Sequence, residues 1–573
     1  MSKLSQLRAA STLHELASLI DFTPKGLAFV AYRLQAGQRY TFFEIKKATG
    51  GSRQIAAPSS PLKLAQRRIA DLLQDCIEGS DVEFGRTKNG RHRPSSVIHG
   101  FARGRSILTN ANVHRKKKLV LNADIMDFFP SISFGRVRGL LIKDRRFQLH
   151  PKVATIVAQI ACFQGHLPQG SPCSPVIANL VGRVLDAKLL KISKKYNCSY
   201  SRYADDITIS TSRDQFPASL AIRQADGKWL PGSSLLEAFE SSKFRLNFDK
   251  FRVQARRNRQ LVTGLTVNQK ANVRPEIRRL SRAMVNRLVT TGSFDWPMSD
   301  GSSRDGTESE LHGLLSFIDH VDEENFKLDQ RDPNRQLTSK REPLRRFLLY
   351  TIFFASKSPL IVCEGKTDNI YLVHAFRALA DTFPDLATKM PDGTIKVNVR
   401  RFKYSGSSTE EIVGLKGGTA PLTTFATNFG KAARLFRQAH MSQPVILIVD
   451  NDEAGRKVLS AVGSQAKKKQ AFLEPYIHVA ANLYVCPVPS PDGSPKVIED
   501  LFDAETRNYQ IGDRSLSLEN EWNADTHYGK NQFAREVVAE RASEIDFCGF
   551  IPLLTNISAV LKAHSAKSAG SGP

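Results

Sequence analysis

Two adjacent aspartates, Asp205 and Asp206, lie between two strand-like apolar runs, and this arrangement constrains the fold more than any other feature of the sequence. It predicts a hairpin whose turn exposes both carboxylates. Neighbouring negative charges repel each other unless a cation neutralises them. A third acid, Asp124, ends the strand-like run LVLNA. If the two strands are neighbours, the three carboxylates meet and form the ligand set expected for two Mg²⁺ ions.

The chain carries a formal net charge of +26, and the excess of basic residues is confined to its first three-fifths. Residues 1–350 contain 57 Lys and Arg against 32 Asp and Glu, whereas the remaining residues contain 25 against 24. A compact protein with this charge is expected to bind a polyanion, and a nucleic acid is the usual one.

Other bulk properties exclude several classes of protein. The sequence contains no run of about 18 or more uninterrupted apolar residues, so we expect no membrane partner. The basic N-terminus lacks the long apolar core of a signal peptide, and we interpret it as a helix of the mature protein. The seven cysteines show no paired metal-ligand spacing, which indicates reduced thiols. We therefore expect a cytoplasmic protein.

A chain of 573 residues is expected to form two or three domains. Residues 1–328 mix helical and strand-like segments, which predicts an α+β domain. The polar stretch at 329–350 predicts a linker. In 351–560, the apolar runs PLIVCEG and VILIVDNDEAG alternate with helical segments, a pattern typical of a parallel α/β sheet. The tail, 561–573, is predicted to be disordered.

The segments ADIMDFFPSI, LPQGSPCSPVIANL and YADD resemble, in the correct order, three motifs of the reverse transcriptases. The resemblance implies an RNA-directed DNA polymerase with the fingers, palm and thumb of a right hand. Asp124, Asp205 and Asp206 would be its catalytic carboxylates and would hold two Mg²⁺ ions. Ile125 would add a backbone carbonyl to this metal site.

The same resemblance assigns a pocket for deoxynucleoside triphosphates. Phe129 stands where the family places a bulky residue under the sugar, so its ring would exclude a ribose 2′-hydroxyl. Gln169 and Gly170 would line the nucleotide pocket and the template, because glycine permits a close backbone approach. Tyr203 would complete the pocket beside the paired aspartates.

Two further segments are similar to the retron branch of the family, the bacterial enzymes that make a branched RNA–DNA hybrid. One is GFARGRSILTNANVHRKKK, with an Asn-Ala-x-x-His pattern, and the other is the triplet Val262-Thr263-Gly264. The basic residues at 243–287 would form the end of the palm and the thumb. For His114, a structural role and a chemical role stay equally open. The residues implied to bind RNA are Arg103, Arg105, Asn110, His114 and Arg115.

A retron enzyme binds its own structured noncoding RNA, primes from a 2′-hydroxyl of that RNA and makes multicopy single-stranded DNA (msDNA). The resemblance therefore implies the noncoding RNA and its RNA–DNA product as partners, and it leaves open whether the protein forms a homo-oligomer. Group II intron maturases and diversity-generating enzymes are rival interpretations of the polymerase half.

A second group of acids lies in 351–560. Glu364 follows one apolar strand, with Asp368 on the next helix, while Asp450 and Asp452 follow another strand. Acids at the carboxyl ends of parallel strands face the crevice where α/β sheets bind ligands, and they would coordinate one or two Mg²⁺ ions there. The pattern resembles a Toprim domain, the Rossmann-like α/β fold shared by topoisomerases, primases and certain nucleases.

The segments IEDLF (498–502) and GKNQFA (529–534) are similar to parts of the overcoming-lysogenization-defect nucleases. This likeness implies that Glu364 and Lys530 are catalytic, that Glu499 is a further metal-binding acid, and that Lys530 stabilises charge on phosphate. The glycine-rich stretch at 414–425 either contacts phosphate or only turns the chain.

A retron-type polymerase joined to a Toprim nuclease points to a bacterial anti-phage defence system, in which the RNA–DNA product restrains the nuclease. Two alternatives remain open. In one, the Toprim half is a binding module without catalytic activity. In the other, the chain is a mobile-element reverse transcriptase related to the group II intron enzymes.

Overall fold

The structure is a computed structural model, and it describes residues 2–46, 51–83, 87–88, 91–92, 97–298, 300–328, 338–404, 408–436, 441–519 and 523–570. The chain forms two compact units. The first comprises residues 1–277 and 321–330, and the second comprises residues 278–320 and 331–573. The predicted boundary at 328 is therefore wrong, because the segment at 278–320 packs with the C-terminal half.

The first unit is built on a four-stranded antiparallel sheet. Its strands are β1 (Leu119–Asp124), β2 (Ser199–Tyr203), β3 (Asp206–Thr211) and β4 (Arg252–Ala255), in the order β4-β1-β3-β2. The strands β2 and β3 form the predicted hairpin around the paired aspartates, and β1 is the direct neighbour of β3. The prediction that these strands are neighbours is confirmed.

Helices and short strand pairs surround this sheet. The helix Ser174–Lys195 packs against β2, and a single hydrophobic core joins the sheet to the helices. The helices are Lys3–Ala9, Leu13–Leu19, Pro24–Ala28, Phe29–Arg33, Ala36–Arg39, Ser60–Glu83, Ile107–Val113, Phe134–Lys143, Pro151–Ala161, Ser174–Lys195, Ser233–Ser241 and Phe248–Lys250. The antiparallel pairs are Tyr40–Lys46 with Ser52–Pro58, Thr87–Lys88 with Arg91–His92, Ala221–Arg223 with Trp229–Pro231, and Leu261–Val262 with Leu265–Thr266.

The second unit contains a five-stranded sheet. Its strands are β5 (Leu360–Cys363), β6 (Arg400–Arg401), β7 (Val445–Val449), β8 (Ile477–Ala480) and β9 (Leu483–Pro487), in the order β6-β5-β7-β9-β8. All neighbouring strands are parallel except the edge pair β8 and β9. The predicted parallel α/β sheet is confirmed.

Residues of β5 and β7 are buried without exception, because both faces of this sheet are covered. Leu360 and Val362 enter one core while Ile361 and Cys363 enter another, on the opposite face.

The helices of the second unit are Thr338–Leu349, Tyr350–Phe354, Asp368–Ala378, Ser408–Val413, Thr419–Ala433, Glu453–Ala466, Ala471–Leu473, Ile498–Leu501, Ala504–Arg507, Lys530–Gln532, Phe533–Ala539, Cys548–Phe550 and Ile551–Gly570. The short strand pairs are Asp295–Pro297 with Ser303–Asp305, Ala387–Lys389 with Ile395–Val397, and Ser515–Leu516 with His527–Tyr528. The helices Pro275–Thr291 and Glu308–Leu328 cross the boundary between the units.

Two predictions about the chain's irregular segments are wrong. The predicted linker at 329–350 contains the helix Thr338–Leu349, whose Leu344, Phe347 and Leu348 are buried in the core of the second unit; the part at 329–337 lies outside the described residues. The predicted disordered tail is helical through Gly570. Its His564 is buried and bonds to the backbone oxygen of Met441 at 2.7 Å. Apolar packing thus holds the first segment in place, and a buried hydrogen bond holds the second.

In the part of the chain that the structure describes, no helix combines the length and the apolar character that a membrane crossing requires.

Candidate functional site

The three predicted polymerase carboxylates meet at one end of the first sheet. Asp124 closes β1 and pairs in register with Asp206, the first residue of β3. Asp205 lies in the two-residue turn between β2 and β3, and its backbone oxygen accepts a hydrogen bond of 3.0 Å from the Ile125 amide. Sheet register therefore brings together the four residues predicted to bind Mg²⁺ in this unit.

Burial and mutual repulsion act on these acids together. Burial, followed by the charge of Asp124, raises the pKa of Asp205. Burial, followed by the charges of Asp205 and Asp124, raises the pKa of Asp206 to about 6. Each raised pKa means that the ionised carboxylate is disfavoured unless a nearby positive charge stabilises it. This donor set is the chemistry that a hard cation such as Mg²⁺ requires.

A lysine supplies part of that positive charge. Lys250 places its Nζ atom 2.6 Å from Asp124 Oδ2, and Asn247 donates to Asp124 Oδ1 at 3.2 Å. Burial lowers the pKa of Lys250, but its hydrogen bond and charge contact with Asp124 outweigh that effect and raise it. Among the described residues, no three acidic, imidazole or thiol side chains are already arranged to hold a metal ion.

The turn that presents Asp205 is supported by a buried ion pair. Arg202, which is fully buried, bonds to Asp186 through Nε at 2.7 Å and through its second nitrogen at 2.8 Å. Tyr200 donates to the same carboxylate at 2.6 Å. Arg202 also donates to the backbone oxygen of Ala204 at 2.9 Å. Ala204 adopts the left-handed region with φ +56°, which is unfavourable for alanine, so the turn depends on such external bonds.

A glycine packs directly against this turn. A Cβ atom at Gly100 would lie 2.3 Å from the Ala204 amide nitrogen, which leaves no room for any side chain. The Gly100 backbone oxygen accepts a hydrogen bond of 2.8 Å from Asn179, which also accepts one from Arg202. The sequence reasoning missed Arg202, Asp186 and Gly100. Neither charged residue stands out in the sequence, because Asp186 lies between Arg183 and Lys188 and Arg202 lies among serines and tyrosines.

A cleft of about 810 Å³ opens over the carboxylates. The predicted nucleotide-pocket residues Phe129, Gln169 and Gly170 line this cleft. Tyr203 is half-buried and is not among the described residues that line the cleft. The prediction for Gly170 needs a correction. Gly170 has a φ of +115°, and its backbone closely approaches another segment of the protein rather than a template. A Cβ atom there would lie 2.6 Å from the Ala56 backbone oxygen. Residues of the lining that the sequence reasoning missed include Phe42, Arg53, Phe101, His166, Asn247 and Lys250.

Two of the five predicted RNA-binding residues cannot contact RNA directly, because Asn110 and His114 are fully buried. His114 bonds to Ser210 on β3 and to Ser201 on β2, both at 2.7 Å. Ser201 also donates to Asn110 at 2.6 Å. The Asn-Ala-x-x-His pattern therefore fastens the helix Ile107–Val113 to the sheet, and of the two roles left open for His114 the structural one is observed.

The remaining three predicted RNA-binding residues have different surroundings. Arg103 is exposed and pairs with Asp75 at 2.9 Å and with Glu78 at 3.1 Å, while Arg105 and Arg115 are half-buried. The Val-Thr-Gly triplet forms a turn with φ +45° at Thr263 and +83° at Gly264. Thr263 donates to the Ile107 backbone oxygen at 3.2 Å, so the two retron-like segments are in contact.

Burial is the main cause that lowers the pKa of His114 to about 3, and the charges of His99 and Lys117 contribute to the same shift. An unfolded histidine has a pKa of about 6.5, so below that pH the unfolded state binds a proton that the folded state excludes. We expect unfolding free energy to fall by about 2 kcal/mol between pH 7 and pH 5 through this residue alone. The measurement is urea unfolding of wild type and His114→Asn at both pH values.

The asparagine variant is expected to lose this part of the pH dependence, whatever its stability at pH 7. His14→Asn is the matched control, because His14 is exposed and its replacement should leave the pH dependence unchanged. An identical pH dependence in wild type and His114→Asn would contradict the buried neutral histidine.

The predicted acids of the second unit also converge. Glu364 follows β5 and Asp450 follows β7, and these two strands are parallel neighbours. Burial, followed by the charges of Asp368, Glu499 and Glu364, raises the pKa of Asp450 to about 8. Four acids thus act on one another near the carboxyl edge of the sheet. The strand pattern predicted Glu364, Asp368 and Asp450 there, whereas Glu499 was predicted only from the likeness to the nucleases.

Lys530 is the cation that faces this group. Its Nζ atom lies 3.1 Å from Glu499 Oε2, and Glu499 is fully buried. Burial raises the pKa of Glu499 and the charge of Lys530 lowers it, with a net rise. Burial lowers the pKa of Lys530, but the charge and hydrogen bond of Glu499 raise it overall. One lysine faces four acids here, which leaves most of their negative charge uncompensated when they are ionised.

Several of these acids have structural bonds as well. Asp368 accepts from the Gly365 amide at 2.8 Å, and Asp450 accepts from the Ile498 amide at 2.9 Å. Asp452 caps the helix Glu453–Ala466 by accepting from the Gly455 amide at 2.7 Å. Asp452 therefore serves as a helix cap, and its charge also acts on Glu364.

The glycine-rich stretch contributes a residue that was not predicted. Thr419, at the start of the helix Thr419–Ala433, donates to Glu364 Oε1 at 2.9 Å. The other carboxylate oxygen of Glu364, Oε2, is buried and has no hydrogen-bond partner among the described residues. An orphaned buried oxygen in a cluster of acids is the position that a Mg²⁺ ion would satisfy.

Residues 45–262 match the family model described as reverse transcriptase (RNA-dependent DNA polymerase). The retron Mx162 reverse transcriptase of Myxococcus xanthus is 30% identical over 344 residues, which cover 56% of this chain and 66% of that protein. The retron Mx65 reverse transcriptase of the same organism is 32% identical over 298 residues, which cover 49% and 61%. The retron Ec86 reverse transcriptase of Escherichia coli is 26% identical over 325 residues, which cover 56% and 88%.

The chain thus spans somewhat less than two thirds of the length of the two Myxococcus relatives. Among solved structures, telomerase from Candida albicans with a fragment of telomeric RNA aligns over 70% of this chain and 65% of that chain. Its TM-score is 0.29 and its sequence identity is 10%.

Proposed function

We propose that this protein is a retron-type reverse transcriptase that copies a cognate noncoding RNA into single-stranded DNA, because residues 45–262 match the reverse transcriptase family model and the chain is similar to retron reverse transcriptases. The observation that carries the proposal is the register of β1 against β3, which sets Asp124 opposite Asp206 beside the Asp205 turn. The substrates would be deoxynucleoside triphosphates, and the product would be msDNA bound to its RNA.

In this proposal Asp124, Asp205, Asp206 and the Ile125 carbonyl would hold two Mg²⁺ ions. When bound, these ions would supply Lewis-acid chemistry for the attacking hydroxyl and the leaving pyrophosphate. Phe129 lines the cleft and excludes a ribose 2′-hydroxyl. Arg53 lines the same cleft, and its charge acts on Asp205, so it is well placed to draw in the triphosphate.

The test is extension of a DNA primer on an RNA template by the purified protein, in Mg²⁺ and all four deoxynucleoside triphosphates. We expect full-length DNA that disappears when the two turn aspartates are replaced. Absence of synthesis on any primed RNA, including RNA that copurifies with the protein, would contradict the proposal. A structured RNA gene directly upstream would favour a retron over an intron enzyme.

For the second unit we propose a Toprim-like, Mg²⁺-dependent nuclease that acts in anti-phage defence and is restrained by the RNA–DNA product. Support comes from the acids on neighbouring parallel strands, the unpartnered Glu364 Oε2 and the adjacent Lys530. Glu364, Asp368, Asp450 and Glu499 would hold one or two Mg²⁺ ions. Lys530 would stabilise negative charge on the phosphate under attack.

Replacing Glu364 with glutamine should reduce cleavage by about a hundredfold or more, because the variant loses a charged metal ligand at the buried centre of the cluster. The measurement is cleavage of labelled DNA and RNA by the full-length protein in Mg²⁺, before and after removal of its bound nucleic acid. Glu453→Gln is the matched control, since Glu453 is exposed on the helix that follows the cluster.

Equal cleavage by wild type and Glu364→Gln would show that another site cuts. If neither protein cuts, and infected cells survive equally with either, the second unit is a binding module rather than a nuclease.

A further inference from the structure

The first unit contains a second cleft, which we name the hairpin groove. Its volume is about 830 Å³, and its described lining shares no residue with the catalytic cleft. One wall is the hairpin formed by Ala221–Arg223 and Trp229–Pro231, and the other wall is β4 with the loop that follows it. Because β4 is an edge strand, the groove runs along the outer edge of the catalytic sheet.

The hairpin is held firmly at its base. Leu220 and Ala221 are buried, and the Gly232 amide donates to the Leu220 backbone oxygen at 2.9 Å. A Cβ atom at Gly232 would lie 2.3 Å from the Ser219 carbonyl carbon, so the two ends of the hairpin are in direct backbone contact. At the tip, the Gln224 amide donates to the Lys228 backbone oxygen at 2.8 Å. The groove is therefore a preformed feature of the fold.

The charges of the groove favour an anion. Arg223 and Arg257 line it and are exposed, and neither forms an ion pair with any described residue. Its one acidic lining residue, Asp214, is already neutralised by Lys118, whose Nζ atom lies 2.9 Å and 3.0 Å from the two carboxylate oxygens. Two unopposed guanidinium groups can each bind a phosphate.

The groove also offers a surface for an unpaired base. Trp229 is half-buried, and it contacts Phe216 edge to face, with ring centroids 6.3 Å apart. This contact orients the indole, which remains partly exposed. The amide side chains of Gln215, Gln224 and Asn258 lie along the same walls and can bond to base edges or sugars. Arginine, a fixed aromatic ring and amides together are the side chains that bind single-stranded nucleic acid.

We propose that the hairpin groove binds an unpaired segment of nucleic acid outside the catalytic cleft, with Arg223 and Arg257 on phosphates and Trp229 stacked on a base. The inference rests on the proposed polymerase function only in its choice of a nucleic acid as ligand. Such a site would hold one strand of the RNA template or of the DNA product while synthesis proceeds in the other cleft.

The test uses full-length protein freed of nucleic acid and fluorescent 12-nucleotide RNA and DNA probes of one sequence. Three variants are compared: Arg223→Ala with Arg257→Ala, Trp229→Ala, and the conservative Trp229→Phe. The control is Lys191→Ala with Lys194→Ala, which removes two exposed positive charges from the helix Ser174–Lys195.

We expect the double arginine variant and Trp229→Ala each to weaken probe binding about tenfold or more, while Trp229→Phe regains most of the affinity. The slope of log Kd against the logarithm of the salt concentration should fall by about 1.4 for the double arginine variant, since two phosphate contacts are lost. Trp229→Ala should leave that salt dependence unchanged. The lysine control should match wild type in both measurements.

A larger loss for RNA assigns the groove to the template, a larger loss for DNA assigns it to the product, and equal losses indicate a site that accepts either strand. Wild-type affinity and salt dependence in the arginine variant and Trp229→Ala would overturn the proposal. Extension of a short primer–template, which occupies only the catalytic cleft, should be unchanged in every variant. If wild type itself fails to extend that primer, the polymerase proposal fails separately.

Discussion

Replacing Asp205 and Asp206 together with asparagine is expected to reduce DNA synthesis by a factor on the order of 10³ or more, while the protein stays folded and bound to RNA. The two carboxylates lie beside Asp124 at the end of the sheet, and asparagine cannot supply the negative charge that a metal pair requires. Burial and repulsion raise the pKa of both aspartates, so their removal relieves an unfavourable interaction in the folded state.

The measurement is primer extension on an RNA template, with RNA retention and thermal unfolding recorded on the same samples. We expect the unfolding temperature to be equal to that of wild type or higher. Asp71→Asn with Asp305→Asn is the matched control, because both acids are exposed and the same charge is removed. Full-length DNA from the Asp205 and Asp206 variant would contradict the assignment of the catalytic carboxylates.

Replacing Asp186 with alanine is expected to lower the free energy of unfolding by about 3–5 kcal/mol. The variant leaves the guanidinium of Arg202 fully buried without its carboxylate, and Tyr200 also loses its acceptor. Urea unfolding at pH 7 measures the effect. Asp226→Ala is the control, since Asp226 forms a 3.7 Å ion pair with Lys228 on the surface and its loss should cost less than about 1 kcal/mol.

A double variant separates the stability of this ion pair from its effect on catalysis. Asp186→Ala with Arg202→Leu removes both charges, so much of the lost stability should return. DNA synthesis should be lost in the double variant, because Arg202→Leu removes the bond to the Ala204 backbone oxygen and releases the Asp205 turn. Wild-type stability in Asp186→Ala, or wild-type synthesis in the double variant, would contradict the role of this pair.

The pattern of apolar residues within short segments was sufficient to predict several strands of the fold. The runs LIVC and VILIV are apolar at every position, which only a sheet covered on both faces satisfies, and both are buried parallel strands. The strand-like apolar runs on either side of Asp205 and Asp206 predicted the hairpin. In both units the acids that follow these strands could be placed at one sheet edge from the sequence.

Contacts between distant residues could not be predicted in this way. Asp186 and Arg202 lie on a helix and a strand, and only the packed structure shows that they form a pair. Asn110 and His114 are polar residues within a basic segment, which suggested RNA contact, whereas three buried hydrogen bonds occupy them inside the protein. The helix Thr338–Leu349 was obscured by its polar first half, although its second half buries Leu344, Phe347, Leu348 and Leu349.

Sequencing the nucleic acid that copurifies with wild type and with the Asp205→Asn, Asp206→Asn variant tests the central claim most directly. The account predicts one RNA species in both preparations, with a single-stranded DNA complementary to part of it, joined at an RNA 2′-hydroxyl, only in wild type. The same DNA in both preparations, or no specific RNA in either, would contradict a reverse transcriptase that copies its own RNA.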